Sequence, residues 1–334
     1  YTPSAGIDEL RAAAARDLST RRGLAYAPED VVVGAGAKPF IAYTIASVTD
    51  HGAGDEVVYP VPGFPIYESQ ILANGAVPVP LYLRESRDFA FDPSELEAAI
   101  TDRTRLVVLN TPHNPTGGIL RSSDLDAIAA ILARHPRVWV YADEIYSRLA
   151  YDGAFESIAT RPGMLERTIV CDGASKTWAM TGWRMGWSIW PSGDKGAHLY
   201  EKVRKLAVNC WSCVNAPSQY AGIAAIDGPQ DDVDKMMRAF DNRRRIVVEG
   251  LNGLPGVSCI TPKGAFYAFP NIKATGRKAK PLASALLEDA GVALIGGPDF
   301  GVLGEGYIRL SYANSEENIL RAIDRIADYL AKSA

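Results

Sequence analysis

The chain has 334 residues, more than one hydrophobic core usually supports, so its length favours two domains of unequal size. Hydrophobic residues make up 47% and charged residues 22%, as in ordinary globular proteins. The net charge of −4 gives no general attraction to nucleic acid or anionic lipid and favours small-molecule chemistry. Four cysteines are too few for a disulfide scaffold, and no apolar run is long enough to span a bilayer, so we expect a cytoplasmic protein.

The first 190 residues of the chain alternate between predicted helices and strands. Apolar periodicity predicts a helix over residues 7–23, where Gly23 is placed to end it. A strand at 31–33, a turn with two glycines and an apolar helix through residue 48 come next. Short apolar runs then predict buried strands at 56–59, 77–83, 106–109, 138–141, 168–171 and 185–190. Helical stretches at 93–100 and 122–134 separate several of these strands.

This alternation indicates the α/β fold class, with a large domain built on a mostly parallel seven-stranded sheet sandwiched by helices. The last strand is expected to be antiparallel because it follows its predecessor closely along the chain. A long charged helix from about residue 232 to 251 then ends this alternation of strands and helices. Further strands are predicted at 257–260, 264–269, 292–295 and 307–311, and further helices at 281–290 and from 316. We therefore predict a large domain, residues 1–235, in close contact with a smaller α+β C-terminal domain, residues 236–334.

The most informative segment surrounds Lys176, just beyond the predicted strand at 168–171. A single lysine is usually a solvated surface charge. Among Trp178, Met180 and Trp183, however, its ammonium would be partly desolvated. Desolvation lowers the pKa of a lysine, which suits it to forming a Schiff base.

Two other polar segments also follow predicted strands, namely 110–117 and 143–146. In an open α/β sheet the ligand crevice lies outside the carboxyl ends of the strands, so all three segments can meet at one site. Asp143 and Glu144 could pass for a hydrolytic carboxylate pair. Adjacent residues of a strand face opposite ways, so only one of them is expected to enter the cleft.

Four motifs carry a resemblance to a known family, and they are Asn114-Pro-Thr-Gly117, Asp143-Glu-Ile-Tyr146, Ser175-Lys-x-x-x-Met-Thr-Gly-Trp-Arg184 and Ile308-Arg-Leu-Ser311. In order and approximate spacing the chain resembles the class I aminotransferases of fold type I, closest to the prokaryotic aspartate aminotransferases. The resemblance implies pyridoxal 5'-phosphate as cofactor, and an L-amino acid and a 2-oxo acid as substrates of a ping-pong reaction. It also implies a homodimer, with no nucleic acid or membrane partner.

The same resemblance assigns catalytic roles. Lys176 would carry the cofactor as a Schiff base and then move the proton between the substrate Cα and the cofactor. Asp143 would pair with the pyridinium nitrogen and keep it protonated. Asn114 and Tyr146 would hydrogen-bond the phenolic oxygen, and Phe64 would stack on the ring.

For the cofactor phosphate, the resemblance implies the glycine-bearing turn at Gly36, with the backbone amides of Ala37 and Lys38 at a helix N-terminus. Ser175 and Arg184 would complete this cup. Tyr1 matches a family tyrosine that reaches the phosphate bound by the neighbouring subunit. Each site of the dimer would then contain residues of both subunits.

For the substrate, Arg309 would grip the α-carboxylate through a bidentate fork, beside Asn114. The resemblance implies a second role for Lys38, which is to bind the distal carboxylate of the substrate. This role favours aspartate and glutamate as substrates. Family members usually have several dozen residues before the match to Tyr1, including a glycine-containing segment that covers the substrate. We therefore expect the natural protein to have an N-terminal segment before Tyr1.

Several other interpretations start from the same residues. The turn at 34–39 lacks the third glycine of a dinucleotide fingerprint. Cys210 and Cys213 have redox or half-zinc spacing, but without a second pair we expect buried structural thiols. The four scattered histidines argue against a metal site. The arginines at 243–245 are expected to form a solvated helix face or an interface.

Two alternative functions stay open at this point. The same scaffold and cofactor support β-elimination or decarboxylation, since surrounding groups choose which bond breaks. A non-catalytic sensor module, such as the aminotransferase-like half of a transcription regulator, is the alternative of another class. No DNA-binding segment is visible in the chain, which disfavours the sensor.

Overall fold

A computed structural model describes residues 1–191, 193 and 196–332 of the chain. The strands of its larger sheet are β1 (Val31–Ala35), β2 (Glu56–Val61), β3 (Val77–Tyr82), β4 (Thr104–Asn110), β5 (Trp139–Asp143), β6 (Thr168–Gly173) and β7 (Met185–Ile189). Their spatial order is β1-β7-β6-β5-β4-β2-β3. The neighbouring pairs β3–β2, β2–β4, β4–β5 and β5–β6 are parallel. Strand β7 runs antiparallel to both β6 and β1. The predicted α/β class, the seven strands and the antiparallel last strand are confirmed.

Helices cover both faces of this sheet. They are α1 (Asp8–Arg22), α2 (Lys38–Val48), α3 (Ile66–Ala73), α4 (Pro93–Ala99), α5 (Ser122–Ala133), α6 (Ala174–Thr177), α7 (Ala197–Trp211) and α8 (Ala216–Asp227). Successive strand residues point to opposite faces. Val57 therefore joins the core cluster under α2, α3 and α7, and its neighbour Val58 joins the cluster under α4 and α5. Because both faces are buried, the strands are almost continuously apolar.

A second, three-stranded sheet lies in the C-terminal part. Its strands are β8 (Tyr267–Ala268), β9 (Ile295–Gly296) and β10 (Ile308–Ser311), in the antiparallel order β8-β10-β9. Helices α9 (Asp231–Asn252), α10 (Ala279–Ala290) and α11 (Glu316–Lys332) pack on it. Their core cluster also contains Ile145, Tyr146 and Leu149, which follow β5 of the larger sheet. The two sheets therefore share buried contacts. The boundary at residues 235 and 236 stays a prediction, and α9 runs across it.

Three predicted strands differ from the structure. Residues 257–260 form only an isolated bridge, Ser258 with Asn271, because the segment lies between Gly256 and Pro262. The strand predicted at 264–269 is reduced to the two residues of β8, because Ala265 has a positive φ of 57°. The strand predicted at 292–295 lies at β9, later in the chain. Helices α3, α6, α7 and α8 were not predicted. No helix of the described part is both long and apolar enough to cross a membrane.

Candidate active site

The exits of β4, β5 and β6 meet the N-terminus of α2 and strand β10 around a cavity of about 480 Å³. Ten of the predicted site residues line this cavity, and they are Ala37, Lys38, Phe64, Asn114, Asp143, Tyr146, Ser175, Lys176, Arg184 and Arg309. Gly36 lies against Arg184 at its edge. Tyr1 is fully exposed and does not line the cavity of its own chain. The volume is in the range of small-molecule sites and leaves room for more than one small ligand.

Lys176 lies in the short helix α6, three residues after the buried end of β6. Its amino nitrogen is 5.5 Å from the centroid of the Tyr146 ring and 5.2 Å from that of Phe266. Burial lowers the pKa of Lys176, and the positive charges of Arg184, Arg309 and Lys38 lower it further, while Asp143 opposes them. The partial desolvation predicted for this lysine is confirmed, although the rings that enclose it are not the predicted tryptophans.

Asp143 is the last residue of β5, and its carboxylate is buried in the cavity wall. The Tyr67 hydroxyl donates to Oδ2 at 2.7 Å, and the Ile145 amide makes a long 3.4 Å contact with Oδ1. Burial raises the pKa of Asp143 to about 6, against the opposing effect of the Tyr67 hydrogen bond. One carboxylate oxygen is therefore held by a phenol while the other lacks a strong partner.

Glu144 points away from the cavity, as its strand position predicted. Its Oε2 accepts from the Arg22 guanidinium at 2.6 Å, and Arg22 also contacts Asp172 Oδ2 at 3.3 Å. All three side chains are buried. This cluster ties α1 to the ends of β5 and β6, where Asp143 lies and from which the chain enters the helix of Lys176. Glu144 is therefore structural, and the hydrolytic pair is excluded.

Asn110 and Asn114 connect the exits of β4 and β5. The Asn110 side chain donates to the Asp143 carbonyl at 3.1 Å and accepts from the Asn114 amide at 3.1 Å. The Asn114 Oδ1 in turn accepts from Arg309 Nη1 at 3.1 Å. The Nε of Arg309 is buried and has no hydrogen-bond partner among the described residues. Arg309 is partly buried, and its guanidinium is suited to bind an anion because an unpaired buried donor is costly.

At the start of α2, backbone and side-chain donors converge on the cavity. Ala37 is the N-cap residue of this 11-residue helix, and Lys38 follows it. An added Cβ at Gly36 would lie 2.2 Å from Arg184 Nη2, so only glycine leaves room for that guanidinium. Arg184 itself donates to the Thr181 carbonyl at 2.8 Å. A helix N-terminus, Lys38 and Arg184 together make a cup for a doubly charged anion.

Two aromatic residues of the cavity were not predicted. Tyr67, in α3, holds Asp143, and its ring meets Phe64 edge to face at 5.9 Å between centroids. Tyr267 donates to or accepts from the Tyr146 hydroxyl at 2.9 Å. Tyr67 lies in the first turn of α3, and Phe64 precedes that helix, so nothing local in the sequence marks the contact of Tyr67 with Asp143. Tyr267 belongs to the run 264–269, which was predicted as a strand without a role in the site.

Other sequence interpretations need correction. Cys210 is exposed and Cys213 is partly exposed, so they are not buried thiols. Both lie where α7 ends and the chain turns at Ser212, which has a positive φ of 59°. Arg244 is buried and pairs with Asp152 and Asp241, whereas Arg245 is exposed as predicted. Within the described residues, no three His, Cys, Asp or Glu side chains are grouped as metal ligands.

Comparison with known proteins gives the family. The family model described as Aminotransferase class I and II matches residues 1–326. The aspartate aminotransferase of Geobacillus stearothermophilus is 37% identical over 341 residues, covering 100% of this chain and 84% of that protein. The aspartate/prephenate aminotransferase of Cereibacter sphaeroides is 36% identical over 343 residues, covering 99% and 84% respectively. An aromatic aminotransferase structure from Pyrococcus horikoshii has a TM-score of 0.94 at 35% identity, covering 100% of this chain and 88% of that one.

The chain therefore belongs to the class I and II aminotransferases, a family whose transamination depends on pyridoxal phosphate. The expectations of family, fold class and transaminase activity are confirmed. The residues present fit the family's cofactor. A partly desolvated amine, a buried carboxylate with one weakly bonded oxygen and an anion cup are the three groups that an aldehyde, a pyridine nitrogen and a phosphate require.

Proposed function

We propose that the cavity binds pyridoxal 5'-phosphate and that an L-amino acid and a 2-oxo acid react there in two half-reactions. The observation that carries this proposal is the pair formed by Lys176 and Asp143, which face one cavity from neighbouring strand exits. When bound, the cofactor supplies a sink for the electrons released as the Cα proton leaves. Every other part of the proposal concerns what side chains of this protein do.

Lys176 would hold the cofactor covalently through its amino group and later move the proton at the substrate Cα. Its lowered pKa favours the neutral amine, which is both the nucleophile and the base. The rings of Tyr146 and Phe266 beside it limit access of water. Asp143 would face the ring nitrogen with the oxygen that Tyr67 leaves free. A positive partner there offsets the cost of burying the carboxylate.

The phosphate would lie in the cup formed by Gly36, Ala37, Lys38, Ser175 and Arg184. Asn114 and Tyr146 would hydrogen-bond the phenolic oxygen, and Phe64 would stack on the ring. The burial of Asn114 and Tyr146 supports this assignment, because buried polar groups require partners.

Arg309 would hold the α-carboxylate of the substrate through its unpaired donors, next to Asn114. Lys38 lines the cavity with its amino group 5.5 Å from the centre of the Phe64 ring. A cation at this place suits a distal carboxylate, and we propose a preference for aspartate and glutamate over neutral amino acids. Names of relatives include aspartate, prephenate and aromatic aminotransferases, so substrate choice varies among similar chains.

We also propose that the enzyme is a cytoplasmic homodimer. Tyr1 is fully exposed, and Trp183, next to Arg184, is half exposed, which leaves apolar surface near the cavity for a second copy. Tyr1 would then reach the phosphate in the neighbouring subunit. The four free cysteines support a reducing compartment.

The test of the cofactor and its anchor is the visible spectrum of the purified protein, followed by borohydride reduction and peptide mapping. We expect a yellow band that shifts when an amino acid is added, and a reduced pyridoxyl adduct on Lys176. The variant Lys176→Ala should bind the cofactor without the band or the adduct. Lys205→Ala, which removes an exposed lysine of α7, is the control and should behave as wild type. An adduct on another lysine, or no uptake of added cofactor, would overturn the proposal.

A further inference from the structure

Tyr267 touches two groups that belong to different sheets. It lies in β8 and pairs with Ser311 of β10, the strand that also carries Arg309. Its ring centroid is 4.7 Å from the Arg309 guanidinium carbon, and its hydroxyl is 2.9 Å from the hydroxyl of Tyr146. Tyr146 comes from the segment after β5 of the larger sheet. Tyr267 is buried, with 7% of its surface exposed, and lines the cavity.

The ring of Tyr267 orients the guanidinium of Arg309. Phe300 lies on another side of Arg309, with its centroid 4.9 Å from the guanidinium carbon. Stacking between two aromatic rings restricts a planar cation to few orientations. The Asn114 hydrogen bond occupies Nη1, while Nε has no hydrogen-bond partner among the described residues.

The hydroxyl of Tyr267 controls what the hydroxyl of Tyr146 can do. In a pair of phenols one hydroxyl donates and the other accepts. If Tyr146 donates its proton to the cofactor's phenolic oxygen, Tyr267 must be the donor within the pair. A hydroxyl that accepts a hydrogen bond becomes a better donor, because successive hydrogen bonds polarise one another.

We propose that Tyr267 is a positioning residue that couples the Arg309 grip on the substrate carboxylate to the Tyr146 hydrogen bond on the cofactor. This inference rests on the proposed function. The Arg309 charge beside the ring favours proton donation by the Tyr267 hydroxyl, and a bound carboxylate weakens that effect. Carboxylate binding at one end of the cavity thereby changes the hydrogen bond at the other.

The variants Tyr267→Phe and Tyr267→Leu separate the two contacts in the cofactor-loaded enzyme. Tyr267→Phe keeps the ring and removes the hydroxyl. Tyr146 becomes a weaker donor, so the cofactor nitrogen bonded to Lys176 holds its proton more tightly. We expect the pH midpoint of the visible band to rise by about half a unit to one unit. Dissociation constants of maleate and 3-phenylpropanoate, carboxylates that cannot transaminate, should change less than about twofold.

Tyr267→Leu removes the ring as well. We expect the same rise in the midpoint and, in addition, about five- to tenfold weaker binding of both carboxylates. The groups that face Tyr267 are Tyr146 and Arg309, and those that act on Lys176 are Asp143, Arg184, Arg309 and Lys38. None of them is replaced in either variant. If Tyr267→Leu does not fold, Tyr267→Phe still decides, because it deletes one oxygen atom.

Tyr307→Phe is the matched control. Tyr307 is equally buried, at 7% exposure, with the Lys273 amino group 4.5 Å from its ring centroid and its hydroxyl donating to Glu85 at 2.8 Å. It does not line the cavity, so its variant should keep the wild-type midpoint and affinities.

A double variant tests the route of the effect. If Tyr267 acts through Tyr146, adding Tyr267→Phe to Tyr146→Phe should cause no further change in the midpoint. An unchanged midpoint in Tyr267→Phe, or an equal shift in Tyr307→Phe, would overturn the inference and leave the proposed function intact. A wild type that takes up no cofactor would instead overturn the proposed function, and this inference with it.

Discussion

Burying the ionisable groups of Asp143 and Lys176 in the site costs the fold free energy. Burial raises the pKa of Asp143 to about 6 and lowers the pKa of Lys176. In each case the charged form is the one that burial disfavours. A ligand that pairs with the carboxylate and reacts with the amine would remove both costs. Binding and stability should therefore be linked in this protein.

Replacing Asp143 by Asn should stabilise the cofactor-free protein at pH 8. A carboxyl whose pKa is higher in the folded protein stabilises the fold below its ordinary pKa, 3.8 here, and this contribution is lost as the pH rises through about 6. The difference corresponds to about 3 kcal/mol. We expect the free energy of unfolding of Asp143→Asn to exceed that of wild type by up to this amount at pH 8. Urea denaturation at several pH values measures it.

The gain should disappear below about pH 4, where the wild-type carboxyl is protonated. Asp324→Asn, at an exposed position of α11, is the control and should show no such pH-dependent gain. A less stable Asp143→Asn at pH 8 would contradict the prediction, since it would mean that the ionised carboxylate stabilises the cofactor-free fold.

At the scale of elements, the turn between β1 and α2 shapes the anion cup. Gly36 has a φ of 90° and lies directly under the Arg184 guanidinium. The side chain of Arg184 is exposed, so an added methyl group at Gly36 has solvent into which it can displace the guanidinium. The cost of a larger residue falls mainly on the position of Arg184.

Gly36→Ala should therefore weaken cofactor binding. We expect the dissociation constant of pyridoxal 5'-phosphate to rise at least about tenfold, equivalent to about 1.4 kcal/mol. Titration of cofactor-free protein, followed by absorbance, measures it. Gly52→Ala is the control, because Gly52 also has a positive φ, 73°, but a Cβ there would meet no atom within 4 Å. Equal losses of affinity in both variants would show that backbone strain, and not Arg184, is responsible.

The predicted and the missed elements differ in how much of their signal is local in the sequence. Strands buried on both faces are continuous apolar runs, so their positions could be predicted. The missed helix α8 has its signal at the N-terminus, where the Asn215 side chain caps the Ser218 amide and Pro217 occupies the first turn. Strands were predicted near β8 and β9, but their two-residue lengths were not, because those lengths are set by pairing with β10.

At the scale of the whole molecule, the two sheets share one buried cluster and the cavity lies between their residues. Asp143 and Lys176 come from the larger sheet, and Arg309 comes from β10 of the smaller one. Relative movement of the two sheets would therefore change the distance between the carboxylate receptor and the reacting amine. The proposed dimer adds a third contributor, Tyr1.

Replacing Tyr1 by Phe should reduce cofactor retention without changing the fold. If the Tyr1 hydroxyl reaches the phosphate in the neighbouring subunit, its loss removes a hydrogen bond to a charged group, and we expect about tenfold faster release on dilution. Sedimentation measures whether the variant is still a dimer. Tyr220→Phe, at an exposed position of α8, is the control. Unchanged retention in Tyr1→Phe would contradict a shared site.

The sequence by itself determined the family, the α/β class and ten residues of the cavity wall. The family and the site residues follow from the resemblance that the motifs carry, and the class follows from the alternation of predicted strands and helices. Only the tertiary structure decided the partners of those residues. Tyr67 on Asp143 and Tyr267 on Arg309 are contacts between segments far apart in the chain, and sequence spacing carries no information about such packing.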